Sequence, residues 1–574
     1  MKNKYANLPN RFKKRQLTYL LMFFCAMIPF RGVQAQQLLE WHESTTVYQI
    51  YPLSFQDSDG DGTGDIKGII SRLNYLQILG VQTLWISPVY PSPWADHGYD
   101  ISDYKAIHPR MGSMADFDSL VGEAKKRNMR IVMDLVMNHT SNRHPWFEAS
   151  RRDKPGGRYR NMYVWKEGKK KPNNWKSMTG GSGWHYDEVA NAWYWASFLG
   201  FQPDLNYHNP AVKDSMFSVM DFWIGRGVDG FRLDIFNCLA EDSLFRNNPP
   251  SLRFIPSEGN PNGFFQQVKF TQNTETTFQI AREFRQHLDS ISNKQAFSVG
   301  EVFGSAEVLK SYTGEGKGLH SVFLFKTMHA GFNAKKWYKL IHENEKHFKA
   351  PAQPTWVLSN HDKKRFLSRI GNSEDKMRAV AFMQFTLRGI PFIYMGEELG
   401  MRQQKLNPKY GKDPIVAKYG PGAVRFARIS GESLNRDECR TPMAWTSEKM
   451  AGFTSADSAW LPLAKEADSI YAEKRLADKQ SIFHHYRKLI SMRNALSLLN
   501  SGLMDSVKLK NKLLSYRRYT ADKSAYCYVN FSGRKKELKS VPQKVNVIFG
   551  ELIRDKKGRK FIPAYGQVIY LTEP

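Results

Sequence analysis

Residues 227 to 234 read Gly-Val-Asp-Gly-Phe-Arg-Leu-Asp, a turn glycine followed by an apolar run that ends in an arginine and an aspartate. The run 228–236 contains β-branched and aromatic residues and predicts a buried strand. A buried acid such as Asp234 costs free energy unless it is paired or used. This stretch therefore predicts a strand whose carboxyl end carries polar side chains that are either paired or used in a reaction.

Seven similar runs flank this stretch and alternate with longer helix-like segments, of which 214–225 and 374–387 are examples. The eight strand-like runs are 47–53, 83–86, 130–136, 228–236, 296–302, 322–325, 355–359 and 390–394. Alternating strands and helices favour a parallel sheet, and eight repeats favour a closed barrel. We therefore expect an α/β fold, a (β/α)8 TIM barrel.

Two segments interrupt this rhythm. Residues 139–206 are rich in Gly, Trp, Lys and Asn, which predicts a subdomain inserted after the third strand. Beyond residue 501 the apolar residues follow a period of two, which is typical of β-strands. We expect a barrel over 36–138 and 207–500, the insert over 139–206, and a C-terminal all-β domain, a β-sandwich, over 501–574.

The amino terminus has the pattern of a secretory leader. Residues 1–16 hold six basic and no acidic side chains, an apolar run follows over 17–30, and a small residue, Ala35, precedes a cleavage site. The alternative is an uncleaved anchor, but 14 residues are fewer than the ~18 needed to span a bilayer. We expect residues 1–35 to be removed, no stable membrane span afterwards, and an exported protein, periplasmic or secreted.

Composition excludes several classes of protein. The chain of 574 residues is 41% hydrophobic and 24% charged, so it is neither disordered nor fibrous. The formal charge is +28 and would be +21 without the leader, which holds seven basic and no acidic residues. No nucleic-acid motif accompanies this charge, and we predict no nucleic-acid partner. Cys238, Cys439 and Cys527 remain in the mature chain, too few for a disulfide framework.

Polar side chains cluster where four of the predicted strands end. They are Asp134, Asn138 and His139 after the third strand, Arg232 and Asp234 at the fourth, Glu301 at the fifth, and Asn360, His361 and Asp362 at the seventh. In barrels of this kind the carboxyl ends of the strands meet at one face, where active sites lie. Asp134 alone could be a structural ion-pair partner, but three further acids at three separate strands predict catalysis.

Glycoside hydrolysis requires two carboxyl groups that flank one bond. One carboxylate attacks or supports the anomeric carbon, and the other group protonates the leaving oxygen and later activates water. A third acid can hold sugar hydroxyls and raise the pKa of the general acid through like-charge repulsion. Arg232 would keep the neighbouring nucleophile ionised and oriented.

Six sequence blocks resemble those of the α-amylase superfamily, glycoside hydrolase family 13, and within it the oligo-1,6-glucosidase and α-glucosidase group. The blocks, in chain order, are Asp134-Leu-Val-Met-Asn-His139, Gln202-Pro-Asp-Leu-Asn206, Gly227-Val-Asp-Gly-Phe-Arg-Leu-Asp234, Val299-Gly-Glu301, Leu358-Ser-Asn-His-Asp362 and Arg440-Thr-Pro-Met-Ala-Trp445. A single block would be weak evidence for this family, whereas six blocks in the family's order are specific to it.

The resemblance implies a role for each residue that matches a family motif. Asp234 would be the nucleophile, Glu301 the general acid/base and Asp362 the transition-state stabiliser. The implied substrate-binding residues are Asp96, Tyr99, His139, Arg232, His361 and Arg440. The resemblance also implies that Asp96 and Arg440 pair around the terminal 4-hydroxyl of the sugar, which would close the pocket and make the enzyme exo-acting.

An acidic loop follows the first predicted strand. Acids alternate with small residues over 57–65, which points several oxygen ligands at one centre and favours Ca²⁺ or Mg²⁺. The loop is not an EF-hand, because position twelve is Gly68 rather than Glu and a strand precedes the loop. It resembles a structural metal site of the glucosidase group, and the predicted ligands are Asp57, Asp59, Asp61, Thr63 and Asp65. We predict no organic cofactor.

The resulting hypothesis is a retaining, exo-acting α-glucosidase that hydrolyses α-1,6 or α-1,4 bonds of short oligosaccharides in carbohydrate catabolism. Ile235 follows the nucleophile where the resembling group has valine with α-1,6 activity and threonine with α-1,4 activity, and it favours α-1,6 cleavage. One alternative is a transglycosylase or isomerase similar to trehalose synthase. Another is a non-catalytic transporter-associated subunit, against which Asp234, Glu301 and Asp362 argue.

Overall fold

The computed structural model of the chain describes residues 40–429, 433–538 and 545–572, so the predicted leader lies outside the described residues. Eight strands form one parallel sheet that curls into a nearly closed barrel. In chain order the barrel strands are Val47–Ile50, Thr83–Ile86, Arg130–Leu135, Gly230–Leu233, Phe297–Gly300, Ser321–Val322, Thr355–Val357 and Ile390–Tyr394. The predicted (β/α)8 barrel is confirmed.

A threonine side chain joins the two barrel strands between which the described backbone ladder stops. The ladder runs without a break from the seventh strand through the eighth and first strands to the sixth. Across the remaining gap, the Thr355 hydroxyl accepts a hydrogen bond from the Leu324 amide (3.0 Å) and donates to the Val322 carbonyl (3.0 Å). The sixth strand is shorter than predicted because a 3-10 turn begins at Phe325.

Apolar side chains cover both faces of the barrel wall. In the third strand Val132 packs with Trp85 and Phe297 inside the barrel, whereas its neighbours Ile131 and Met133 join the larger outer core. This arrangement explains why the strands read as continuous apolar runs, since parallel barrel strands are buried on both sides.

Helices pack against the outside of the barrel. The α-helices are Trp41–Ser44, Ile66–Ser71, Leu73–Leu79, Met114–Lys126, Pro145–Arg152, Pro210–Gly225, Glu275–Ser292, Ala306–Thr313, Ala334–His347, Phe366–Arg369, Glu374–Thr386, Pro414–Ile429, Ala472–Ala477, Ile482–Ala495 and Ser497–Asn500. The helix predicted over 214–225 begins four residues earlier, because Asn209 caps it by accepting from the Ala211 amide. No helix in the described part of the chain is both long and apolar enough to cross a bilayer.

Two regions outside the barrel form antiparallel sheets. Between the third and fourth barrel strands, Trp165–Glu167, Trp184–Asp187 and Ala192–Trp195 form a three-stranded sheet. Near the C-terminus, five strands pair in the order Leu503–Lys510, Leu513–Tyr519, Ser524–Asn530, Gln567–Thr572 and Asn546–Gly550, and Lys536–Glu537, Lys560–Ile562 and Ile553–Arg554 form a smaller sheet. Alternate residues of Leu513–Tyr519 are buried, as the period of two predicts. Cys238, Cys439 and Cys527 are buried and unbridged.

Candidate active site

A single guanidinium joins the carboxyl groups of three barrel strands. Arg232 is fully buried, and its Nη1 donates to Asp134 Oδ1 (2.7 Å) and to Asp234 Oδ1 (2.8 Å), while Nη2 donates to Glu301 Oε2. The parallel register pairs Asp134 directly with Arg232 across two neighbouring strands. The barrel thus collects at one point residues that are far apart in sequence.

The backbone turns sharply directly after Asp234. Ile235 has φ = 30° and ψ = 44°, a left-handed conformation that a β-branched residue rarely adopts. The turn is held by the amide of Cys238, which donates to the Ile235 carbonyl (3.0 Å). Strain of this kind occurs at functional sites, where the surrounding structure imposes it. Here it ends the strand and leaves the Asp234 carboxyl group at the mouth of the barrel.

Tyr99 and His361 line the same end of the barrel as a stacked pair. Their rings are parallel within 1° with centroids 5.3 Å apart, and Tyr99 Oη lies 2.7 Å from His361 Nε2. The same hydroxyl donates to Asp134 Oδ2 (2.9 Å). Asp134 therefore orients Arg232 and Tyr99. His139 is also buried here, with Nε2 3.3 Å from the Tyr99 carbonyl oxygen.

Two arginines hold Asp362, and one of them was not among the predicted site residues. Arg440 Nη2 donates to Asp362 Oδ1 (2.8 Å), and Arg436 Nη1 lies 3.3 Å from the same oxygen. Arg436 Nη2 also binds Asp96 Oδ1 (2.6 Å) and Asp413 Oδ1 (2.8 Å). The predicted direct pair between Asp96 and Arg440 is replaced, among the described ion pairs, by Asp96 with Arg436.

The position of Arg436 in the sequence could have indicated its role, because it lies four residues before Arg440. Residues Arg436–Cys439 form a 3-10 turn, and the guanidiniums of Arg436 and Arg440 both reach Asp362 Oδ1. Arg440 is itself held by its Nε, which donates to the His361 carbonyl (2.7 Å), and its Nη1 lies 3.3 Å from His97 Nδ1. Spacing could have suggested that the two guanidiniums act together, but it could not assign their acidic partners.

The carboxyl groups differ in how readily they ionise. Burial raises the pKa of Glu301 to about 8 and that of Asp234 to about 7, and Arg232 opposes both shifts. Burial also disfavours ionised Asp362, but the guanidiniums of Arg436 and Arg440 outweigh it and hold the pKa of Asp362 well below its usual range. Near neutral pH, Asp362 is ionised and Glu301 retains a proton more readily than Asp234, the order that an acid and a nucleophile require.

The acidic loop after the first strand brings three carboxylates together. One oxygen from each of Asp57, Asp59 and Asp61 lies within 4.8 Å of the others. Three hard oxygen donors at this spacing suit Ca²⁺ or Mg²⁺, so the donor set fits the predicted ion. The Thr63 amide donates to Asp61 Oδ1 (2.7 Å). Asp65 caps the helix Ile66–Ser71 and accepts from the Gly68 amide (2.7 Å).

The barrel with acids at its strand ends defines a class of enzyme suited to breaking glycosidic bonds, and comparison with known proteins agrees. Residues 49–502 match the model of the alpha-amylase catalytic domain. A probable alpha-glucosidase of Rhizobium meliloti (strain 1021) is 35% identical over 86% of this chain and 90% of its own. An oligo-1,6-glucosidase of Halalkalibacterium halodurans is 36% identical over 86% and 91%.

Solved structures also match this chain over most of its length. The structure of an alpha-glucosyl transfer enzyme superposes with a TM-score of 0.85 at 32% identity, covering 93% of this chain and 99% of that one. The trehalose-6-phosphate hydrolase of Bacillus licheniformis gives a TM-score of 0.80 at 30% identity, covering 93% and 100%. The chain belongs to the alpha-amylase family of glycoside hydrolases.

Proposed function

We propose that the protein is a retaining, exo-acting α-glucosidase that releases glucose from the non-reducing end of short oligosaccharides in carbohydrate catabolism. The observation that carries this proposal is the contact of one buried guanidinium, Arg232, with both Asp234 and Glu301. A shared guanidinium keeps the two carboxyl groups close enough to act on one bond. Retaining enzymes use a short separation, about 5 Å, between these two groups.

The geometry supports a two-step reaction. Asp234 attacks the anomeric carbon while the Glu301 carboxylic acid protonates the leaving oxygen, so the glycosidic bond breaks and a glucosyl ester forms on Asp234. Glu301, now a carboxylate, takes a proton from water, and the water oxygen displaces Asp234 with net retention. Asp362, kept ionised by its two arginines, stabilises positive charge on the sugar ring in both transition states.

The paired residues around Asp96 support exo action. Asp96 is 2% exposed and is held by Arg436 (2.6 Å) and by Gln202 Nε2 (3.2 Å). Together with Arg440, these groups form a dense polar network beside Asp362. Such a network can bind the hydroxyls of one terminal glucose residue, as an exo-acting enzyme requires.

Product analysis tests this function. Isomaltose and maltose are incubated with the purified enzyme, and the anomer of the released glucose is followed by NMR before mutarotation. We expect release of α-glucose from both substrates, faster from isomaltose because Ile235 resembles the valine of α-1,6 enzymes. Release of β-glucose, or no glucose from either substrate, would contradict the proposal.

A second candidate function is glucosyl transfer or isomerisation. Structural relatives at 28% identity include a trehalulose synthase, with a TM-score of 0.82 over 93% of this chain, and the alpha-glucosyl transfer enzyme described above. The two functions differ in whether water or a sugar hydroxyl resolves the glucosyl ester. New disaccharides formed without free glucose would favour this candidate over hydrolysis.

We also propose that the acidic loop holds a structural Ca²⁺ or Mg²⁺ ion. Asp57, Asp59 and Asp61 would supply carboxylate ligands, and the sequence pattern of the loop supports Thr63 and Asp65 as the remaining ligands. A bound ion would neutralise the mutual repulsion of the three acids and tie the loop together. Calorimetric titration of chelator-treated protein with either ion tests this proposal.

We further propose that residues 1–35 direct export and are then removed, so that the enzyme acts in the periplasm or outside the cell. The basic start, the short apolar run and Ala35 support this proposal. N-terminal sequencing of protein recovered from the periplasm or the medium tests it, and a mature chain that begins at Gln36 is expected.

A further inference from the structure

The long loop after the fourth barrel strand exposes several large apolar side chains. Leu252 is fully exposed, and Phe254, Ile255 and Phe265 are 56%, 71% and 59% exposed. Together these four residues form the apolar tip of the loop. Proteins commonly expose single apolar side chains, whereas a group of them on one loop marks a contact with a partner.

The backbone gives the apolar tip a defined conformation. The Phe264 amide donates to the Phe254 carbonyl (2.6 Å), and the Phe265 amide donates to the Arg253 carbonyl (2.9 Å). The rings of Phe254 and Phe265 pack with centroids 5.2 Å apart. Phe264 and Phe265 both have positive φ (52° and 63°), which aromatic residues rarely adopt. The loop therefore holds its aromatic side chains at the surface.

A segment of the inserted subdomain joins this loop to the helix Pro414–Ile429. Lys176 Nζ donates to the Phe264 carbonyl (2.7 Å) on one side, and Lys418 Nζ donates to the Gly180 carbonyl (2.7 Å) on the other. The helix carries three basic and no acidic residues. Its exposed large apolar side chains are Tyr419, Phe426 and Ile429. Apolar exposure and positive charge therefore continue from the loop onto a neighbouring helix.

The charges beside the apolar tip are positive and uncompensated. Arg253 and Lys269 are exposed, and among the described ion pairs neither has an acidic partner. The one acid within 243–269 is Glu258, which Lys363 neutralises (2.5 Å). A surface of this kind complements a partner that is anionic outside and apolar beneath.

We propose that the apolar tip docks the protein on an anionic lipid bilayer, with Leu252, Phe254 and Ile255 among the acyl chains and Arg253 and Lys269 at the headgroups. Apolar side chains beside basic ones are typical of proteins that lie on a membrane without crossing it. Long basic side chains keep their charge at the headgroups while their stems lie in apolar surroundings. Fluid acyl chains adapt to side chains that project singly, whereas a protein partner needs a groove of matching shape.

The charge of the whole chain favours the same partner. The formal charge is +28, and no nucleic-acid motif accompanies it. Anionic lipids form a second kind of polyanionic surface, and they attract basic side chains within a Debye length. Docking goes beyond the proposed hydrolysis and does not require it.

Vesicle sedimentation tests the inference. The protein is purified from the periplasm or the medium and mixed with vesicles of phosphatidylcholine, alone or with an equal part of phosphatidylglycerol. The pelleted fraction is measured against lipid concentration. We expect binding to the anionic vesicles to be about tenfold tighter or more, and to weaken as salt is added. Equal binding to the two kinds of vesicle, or binding to neither, would contradict the inference.

Two double variants locate the docking residues. Leu252→Ser with Phe254→Ser removes two apolar side chains and should weaken binding to the anionic vesicles about tenfold or more. Arg253→Gln with Lys269→Gln should weaken it about tenfold and reduce its dependence on salt. Hydrolysis of isomaltose should be unchanged in both, because none of these residues contacts the catalytic carboxyl groups.

Each double variant has a matched control elsewhere on the surface. Ile78→Ser with Ile553→Ser removes two other exposed apolar side chains, and Lys556→Gln with Lys557→Gln removes two other exposed bases. Both controls should bind as the wild type does. All samples have the same N-terminus, so any contribution of residues 1–35 is equal among them. Near-ultraviolet circular dichroism confirms that each variant is folded.

The remaining outcomes are equally decisive. If both docking variants fold and still bind anionic vesicles as tightly as the wild type, the inference is wrong. A wild-type dimer in light scattering that Leu252→Ser with Phe254→Ser dissociates, without any vesicle binding, would assign the apolar tip to a second copy and also overturn the inference. Glucose release from isomaltose is measured without vesicles, so the proposed function and the docking can fail independently.

Discussion

Two groups of acids lie near the mouth of the barrel, and the protein stabilises them in different ways. Around Arg232, buried carboxyl groups share one guanidinium that no solvent reaches. In the loop after the first strand, Asp57 accepts hydrogen bonds from the backbone amides of Asp59 (3.0 Å), Gly60 (2.8 Å) and Gly62 (2.8 Å). The first group depends on a single side chain, whereas the second distributes its stabilisation over the backbone.

The two groups of acids also differ in the direction in which their pKa values are shifted. Burial raises the pKa of Asp234 and Glu301, whose neighbours include other acids. Burial acts on Asp57 as well, but Thr454 and the loop amides outweigh it and lower its pKa. A catalytic group needs a proton affinity near the working pH, while a metal ligand must stay ionised. The same residue type therefore acquires a different pKa, and a different role, from the cations and amides around it.

The largest effect is expected from removing Asp234, the proposed nucleophile. Asp234→Ala should lower kcat for isomaltose by about 10⁴ to 10⁶-fold, because no glucosyl ester can form. The measurement is initial-rate kinetics on chromatographed, folded protein. Asp118→Ala is the control, since Asp118 is an exposed acid that pairs with Arg226 on the surface. Activity within tenfold of the wild type would show that Asp234 is not the nucleophile.

Removing the shared guanidinium should damage both stability and activity. Arg232→Met leaves Asp134, Asp234 and Glu301 buried without their cation, and we expect a loss of about 3–5 kcal/mol in the free energy of unfolding. Urea denaturation measures this loss. The matched control is Arg226→Met, which breaks an exposed pair and should cost no more than about 1 kcal/mol. Equal losses in the two variants would contradict the central role of Arg232.

Replacing Arg436 should reduce kcat/KM, because Arg436 holds both Asp96 and Asp362 in position. Arg436→Lys keeps the charge but cannot bind Asp96, Asp362 and Asp413 together, and we expect a fall of about 10 to 100-fold for isomaltose. The same substitution at Arg226, a half-buried surface residue, should have no effect on kcat/KM. An unchanged value in the Arg436 variant would mean that Arg440 alone suffices to hold Asp362.

Activity should depend on pH in a bell-shaped manner. Asp234 must be ionised to attack, so activity falls as the pH drops through its pKa of about 7. Glu301 must be protonated to act as an acid, so activity also falls as the pH rises through its pKa of about 8. The two limbs belong to the coupled pair, and kcat/KM against pH measures them. In Glu301→Gln the alkaline limb should disappear, and its persistence would assign that limb to another group.

The smallest effect is expected in the acidic loop. Chelation with EDTA should lower Tm by a few degrees, since the backbone amides, Thr454 and Arg110 then stabilise the acids of the loop without a bound ion. Added Ca²⁺ or Mg²⁺ should restore Tm. Asp59→Asn should weaken the response to the ion without changing the activity at 25 °C. An identical Tm with and without ion in the wild type would show that the acidic loop holds no structural ion.

Much of the catalytic end could be predicted because local sequence carries it. Apolar runs such as 228–236 specify buried strands, and a polar residue at the end of such a run lies at the mouth of the barrel wherever the strand sits in the sheet. Asp234, Glu301 and Asp362 are therefore visible in the sequence before any distance is known. The resemblance to family 13 then added roles that position alone could not assign.

The partners of these residues could not be predicted in the same way. Arg436 and Arg440 are four residues apart and chemically identical, yet one binds Asp96 and the other does not among the described ion pairs. That choice depends on the path of loops that are separated by more than 300 residues. The ion pair between Glu258 and Lys363 likewise joins loops that follow two different barrel strands.

Local sequence specifies the eight strands, the period-two C-terminal region and the acids at the strand ends, because periodicity and burial act over a few neighbouring residues. The folded chain alone shows that one guanidinium serves three carboxyl groups and that Arg436 rather than Arg440 holds Asp96. Those features depend on distances between residues remote in the chain, and the closure of the barrel sets those distances.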